Sequence, residues 1–124
     1  MGQDVRGTHR PVYWEEVVTV SLDRPMIFDL CKLSHDGLIV KGIFGPPFTK
    51  LELRETEEPS SLLFGVMHNN ADLWAPMLVV VGVRQGLYLH VATCIGKTVK
   101  GAVAIVGVQR IPQDTLPAKE MVMS

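Results

Sequence analysis

Four histidines, two cysteines and a cluster of acids are the side chains of this 124-residue sequence that could make or break bonds or hold a metal. His9, His35, His68 and His90 show none of the close pairing by which a helix or knuckle grips zinc. Convergence in space leaves one arrangement to consider. His68, Asp72 and His90, with Tyr88 beside them, would supply two imidazoles and a carboxylate, a set that ligates transition metals or moves protons in a cleft. Cys31 and Cys94 could serve as nucleophiles only if a cation or a helix start lowered the thiol pKa. Their neighbours Leu30, Leu33, Val91, Ala92 and Ile95 are apolar, so both read as buried structural thiols.

Glu52, Glu55, Glu57 and Glu58 are the kind of acid cluster that glycoside hydrolysis or calcium binding would use. A calcium loop, however, needs Asp or Asn at alternate positions and a glycine at the sharp turn. Neither is present, and these acids read as solvated. Gly96-Lys97-Thr98 imitates the end of a phosphate-binding loop, yet the glycine required five residues earlier is Val91, so the tripeptide reads as a turn. Lys97, Lys100 and Arg110 could meet a nucleic acid backbone on a β-barrel. Phe44, Phe48, Trp74 and Tyr88 do not interleave with the cations as base-stacking residues would, so nucleic acid is not the expected partner. No catalytic residue, metal or cofactor is expected from these patterns, and the chain reads as a non-enzyme.

The elements that must position these residues are extended. Apolar, largely β-branched segments run from Met77 to Val83, Gly86 to Cys94 and Val99 to Val108, broken by turn chemistry at Arg84-Gln85-Gly86 and Ile95-Gly96-Lys97. They read as a meander. Near-alternation from Val12 to Leu22 predicts a first strand. Asp23 in an N-cap position, Pro25 in the first turn, and Ile27, Leu30, Cys31 and Leu33 at helical spacing predict a helix near residues 24–35, ended by Asp36-Gly37. Leu38 to Phe44 and Phe48 to Glu55 flank Gly45-Pro46-Pro47 and read as a hairpin, and Leu62 to His68 as a further strand.

The expected fold is therefore mainly β (α+β), a compact antiparallel or mixed barrel or sandwich of about seven strands with one short helix. A single domain spans residues 1–124, with a flexible arm at 1–10 and a tail at 113–124. Twelve basic against thirteen acidic residues, with a pI near 6.4, give no global field toward nucleic acid or an anionic membrane. The longest apolar run, Ala75 to Val83, falls far short of the roughly 20 residues of a transmembrane helix. Two widely spaced cysteines and the lack of a basic-then-apolar start lead to an expectation of a soluble, cytoplasmic (intracellular) protein, with a host cell as one setting.

Several strands are apolar on both faces, more than so short a chain can cover. The leading expectation is an assembly or interaction protein, a homo-oligomer, with Trp14, Trp74 and Met77 as interface residues. Viral and phage structural or accessory proteins fit this composition. Two other readings stay open: a small barrel that binds a ligand or acts as a minor enzyme in an intersubunit cleft through His68, Asp72, Tyr88 and His90, and a nucleic-acid-binding barrel.

Overall fold

A computed structural model of the chain describes residues 9–58, 61–67 and 73–110. Eight strands follow one another: β1 (His9–Val20), β2 (Met26–Asp29), β3 (Leu38–Gly45), β4 (Thr49–Arg54), β5 (Leu62–Met67), β6 (Leu73–Val81), β7 (Tyr88–Thr93) and β8 (Val99–Arg110). They form two four-stranded antiparallel sheets, ordered β1-β8-β3-β6 and β2-β7-β4-β5, which pack as a sandwich and do not close into a barrel.

The pairing follows one rule. β4 pairs with β5, β3 with β6, β2 with β7 and β1 with β8, so the chain is a long ribbon doubled back at the β4–β5 connection and rolled up, its successive rungs alternating between sheets. The β3·β8 and β4·β7 ladders then close each sheet. Eight strands wrapped in this way have the topology of a jelly roll. Alternate residues point into the space between the sheets. Val18, Val20, Val40, Ile43, Leu51, Leu53, Leu89, Val91, Val103 and Ile105 fill it and are fully enclosed.

Three local expectations are corrected. The predicted helix at 24–35 is absent: Met26–Asp29 is strand β2, paired in register with Val91 to Tyr88, and residues 31–36 form turns. About three turns of helical spacing is a weak signal, because an isolated helix of that length is marginal and the β7 edge offers a cross-strand ladder. Asp23 accepts from the Ser21 hydroxyl at 2.9 Å instead of capping a helix, and Asp29 accepts from the Cys31 amide at 2.9 Å to open the turn. This segment supplies the eighth strand.

The hairpin expected around Gly45-Pro46-Pro47 is a crossing between sheets. Phe48 takes φ 65° and its carbonyl accepts from the Thr93 hydroxyl at 2.7 Å, while the Thr49 hydroxyl donates to the Pro46 carbonyl at 2.7 Å, which turns the chain out of the first sheet into the second. The expected meander likewise splits, with β6 and β8 on either side of β3 and β7 in the opposite sheet.

Close approach explains one glycine. A side chain at Gly107 would lie 2.5 Å from the Ile39 carbonyl oxygen, so only glycine lets β8 lie against β3 where their register shifts between Val40 and Gly42. The arm and tail fall almost entirely outside the described residues.

Candidate functional site

The two outer faces of the sandwich are unlike. On the second sheet, β4 points Lys50, Glu52 and Arg54 outward, opposite Ala92, His90 and Tyr88 of β7, which in turn stand beside Ile27 and Asp29 of β2. One row across the sheet reads Asp29, Tyr88, Arg54, Leu62 and the next Ile27, His90, Glu52, Gly65.

This polar face is closed by its own contacts. Residues 55–58 turn back over the end of β7: the His90 Nε2 lies 3.1 Å from the Thr56 carbonyl, Gln85 donates to Glu55 Oε2 at 2.8 Å, and the Glu55 carbonyl leaves room only for the bare glycine at Gly86. Arg54 is thereby nearly buried, although it points away from the core, and its Nη2 and Nε both donate to Glu52 Oε1, at 2.9 and 3.3 Å. These contacts hold residues 55–58 against the polar sheet.

Tyr88 and His90 thus share a face. His68 and Asp72 lie outside the described residues, so the four-residue polar site of the sequence reading is half placed. Among the described residues, no group of three His, Cys, Asp or Glu could hold a metal ion.

Asp29, Cys31 and Tyr88 form a small coupled cluster. The Cys31 amide hydrogen bond holds the Asp29 carboxyl below its usual range. The Tyr88 phenol is pushed up to about 12, first by its hydrogen bond to the Cys31 thiol, then by the charge on that sulfur and on Asp29. A folded pKa above the unfolded value near 10 means that the native state holds the proton more tightly. The resulting stability is complete below about pH 10 and fades as pH rises toward 12. In an absorbance titration of phenolate, Tyr88→Phe is expected to remove the component that ionises last.

Cys31 is half-buried, its thiol donating to the Leu87 carbonyl at 3.8 Å, and it lines an open depression of about 420 Å³ with Lys32, His35 and Asp36. Cys94, expected to be buried, is exposed, because it follows the last β7 residue and begins the crossing to β8.

The first sheet is more apolar outside. Its outer face carries Tyr13, Glu15, Val17 and Thr19 from β1, Lys100, Ala102, Ala104, Val106 and Val108 from β8, Ile39 and Phe44 from β3 with Lys41 exposed at the register shift, and Trp74, Pro76, Leu78 and Val80 from β6. Leu78 is 73% exposed, Val80 67%, Tyr13 64%, Val17 63% and Trp74 49%. The Trp74 ring occupies the space where any side chain at Gly42 would sit, and Trp74 is the cross-strand partner of Phe44.

Of the three predicted interface residues, Trp74 stands on this face. Trp14 points inward and meets Phe28 edge to face at 5.2 Å, and Met77 packs against the core. Lys97 is exposed in the β7–β8 connection and Lys100 at the start of β8, whereas Arg110 ends that strand about 33 Å away. The three cations do not form one patch.

Sequence reading registered the excess of apolar strand without naming Tyr13, Val17, Leu78 or Val80. The signal that finds them is the alternation within β6 and β1, where the residues between core positions are apolar instead of polar.

No family model, curated protein or solved structure matches the chain. Among the described residues, no helix is long and apolar enough to cross a membrane.

Proposed function

We propose that this chain is a non-enzymatic assembly protein that acts by self-association, with copies packing through the outer face of the β1-β8-β3-β6 sheet. The observation that carries the reading is the exposure of large apolar side chains at both margins of that face, Tyr13 and Val17 on β1 and Trp74, Leu78 and Val80 on β6. Four strands of about eight residues give a footprint of roughly 500 Å². That footprint includes Glu15, Lys41 and Lys100, so the apolar part is smaller and falls in the range of the largest patch on a typical monomer, which is often functional.

The sheet's edges support a face contact over an edge contact. β6 carries Pro76 and a register shift against β3, while β1 carries Pro11 and Glu16, an exposed charge at a position whose parity points inward. Proline, irregular register and inward charge on edge strands are the devices that block strand-to-strand growth. On the face itself the β6 segment from Leu73 to Val83 carries no charged residue, and the charges present are Glu15 on β1, Lys41 at the β3 register shift and Lys100 at the start of β8.

Jelly rolls build many viral capsid proteins, and a viral or phage structural or accessory role agrees with this wrapping. The same fold also hosts lectins and cupins, so the likeness adds weight only beside the exposed face. Sedimentation equilibrium tests the proposal. The purified chain is expected to self-associate at micromolar concentration, and Trp74→Ala to weaken that association while the protein stays folded. A chain that remains monomeric at about 100 μM, weaker than a specific interface of this size sustains, defeats the reading.

A further inference from the structure

Residues 55–58 return over the end of β7 without an apolar side chain among them, since the sequence there is Glu55-Thr56-Glu57-Glu58. Thr56, Glu57 and Glu58 are exposed. By contrast, the connection that follows β2 buries Leu30 and Ser34. What holds residues 55–58 is polar: Glu55 Oε2 accepts from Gln85 Nε2 at 2.8 Å, the Thr56 carbonyl meets His90 Nε2 at 3.1 Å, and the Glu55 amide donates to the Ser61 carbonyl at 3.1 Å.

Gln85 is itself firmly mounted. Its amide donates to the Gly82 carbonyl at 3.1 Å, its carbonyl accepts from the buried Ser34 hydroxyl at 2.9 Å, and its Oε1 accepts from the Gly82 amide, just past β6, at 2.7 Å. One carboxamide therefore ties the end of the first sheet to a segment lying on the second. Gly86, next to it, is not in the left-handed region, so its backbone tolerates a side chain. Only the Glu55 carbonyl stands in the way.

We propose that residues 55–58 are a strap that opens and closes over β7 as a local unit, with the Gln85 carboxamide as its catch and Gly86 as its seat. Each hydrogen bond of the strap lies where water can replace it, so each shifts the closing equilibrium by roughly tenfold. Segments held by a few such bonds and no buried apolar contact open far more often than the core does. Opening frees His90 Nε2 on the row it shares with Ile27 and Glu52. It is a property of the single chain and needs no second copy.

Native-state hydrogen exchange of the full chain tests the strap at the Glu55 amide, whose acceptor is untouched by a change at position 85. Corrected for intrinsic rates, this amide is expected to exchange at least about 100-fold faster than those of Leu53 and Val91 in the central strands. Gln85→Ala is expected to speed it about tenfold further while Leu53 and Val91 stay within about threefold. Gly86→Ala is expected to keep its sheet circular dichroism and to raise the rate at which diethyl pyrocarbonate modifies His90, relative to exposed His35, about fivefold or more. A Glu55 amide that exchanges only with the core, or that ignores Gln85→Ala, overturns the strap and places the segment in the globally cooperative unit. A folded Gly86→Ala protein with unchanged His90 reactivity overturns the seat. Should Gly86→Ala fail to fold, the exchange of Glu55 in Gln85→Ala decides the matter alone.

Discussion

Leu78→Asp is expected to leave the protein folded and to abolish its self-association. In the single chain this side chain is almost fully solvated, so a carboxylate there keeps its hydration, and the cost to the fold is that of a poor strand former, at most about 1 kcal/mol. In the packed pair the same carboxylate is withdrawn from water on the apolar face, with Lys41 of its own chain across the strands, and in a symmetric pair the penalty occurs twice. Withdrawing a charge from water costs several kcal/mol, which one neighbouring cation repays only in part. The dissociation constant is therefore expected to rise about 100-fold or more. Sedimentation equilibrium reads the association, and urea unfolding at low protein concentration reads the fold without the contribution of subunit contacts. Leu62→Asp is the matched comparison: Leu62 is also an exposed leucine on an outer sheet face, but it belongs to the polar sheet. It is expected to leave association unchanged. Equal effects at Leu62 and Leu78 would show that added negative charge, and not the first sheet's face, governs the outcome.

What the sequence discloses here is local, and what it withholds is long-range. β1, β5, β7 and β8 are legible because a two-residue period and β-branched residues are properties of a few neighbouring positions. The topology is not. His9 pairs with Arg110 and Ile27 with His90, and no local pattern encodes partners so far apart. The segment from Asp23 to Asp36 shows the competition directly: its spacing suits one short helix, but the β7 edge offers Met26–Asp29 a ladder, and the side chains that would have capped a helix instead close turns.

The candidate surface divides along the same line. An excess of apolar strand is visible in Met77 to Val83 and Val99 to Val108, because no arrangement of so short a chain covers both sides of every strand. Which side remains bare is decided by the roll of the ribbon, which turns Val79 and Val81 inward and Leu78 and Val80 out. Arg54 is the opposite case. In the sequence it is one of many scattered cations on a wet strand face. In the structure it is nearly buried beside Glu52, next to the return of residues 55–58 over β7, and no period or motif marks that return.

The enclosure of Arg54 carries the second large expected effect. Its side chain is 10% exposed and that of Glu52 18%, and its two hydrogen bonds to Glu52 converge on one carboxylate oxygen. Glu52→Ala removes that carboxylate from a charge largely withdrawn from water and is expected to destabilise the fold by about 2–3 kcal/mol, somewhat under the cost for a fully buried pair. Arg54→Lys is expected to cost nearly as much, because a single ammonium cannot reproduce the two-armed contact of the guanidinium. Replacing both residues together, as Glu52→Leu with Arg54→Met, removes the charges along with their desolvation and is expected to recover most of the loss. Urea midpoints at constant m-value measure all three. If Glu52→Ala costs no more than about 0.5 kcal/mol, the pair behaves as an ordinary surface salt bridge, and the residue 55–58 segment does not shield it in solution. The larger loss, with recovery in the double variant, would mark this pair as the clamp that fixes the loop to the polar sheet and keeps the two outer faces chemically distinct.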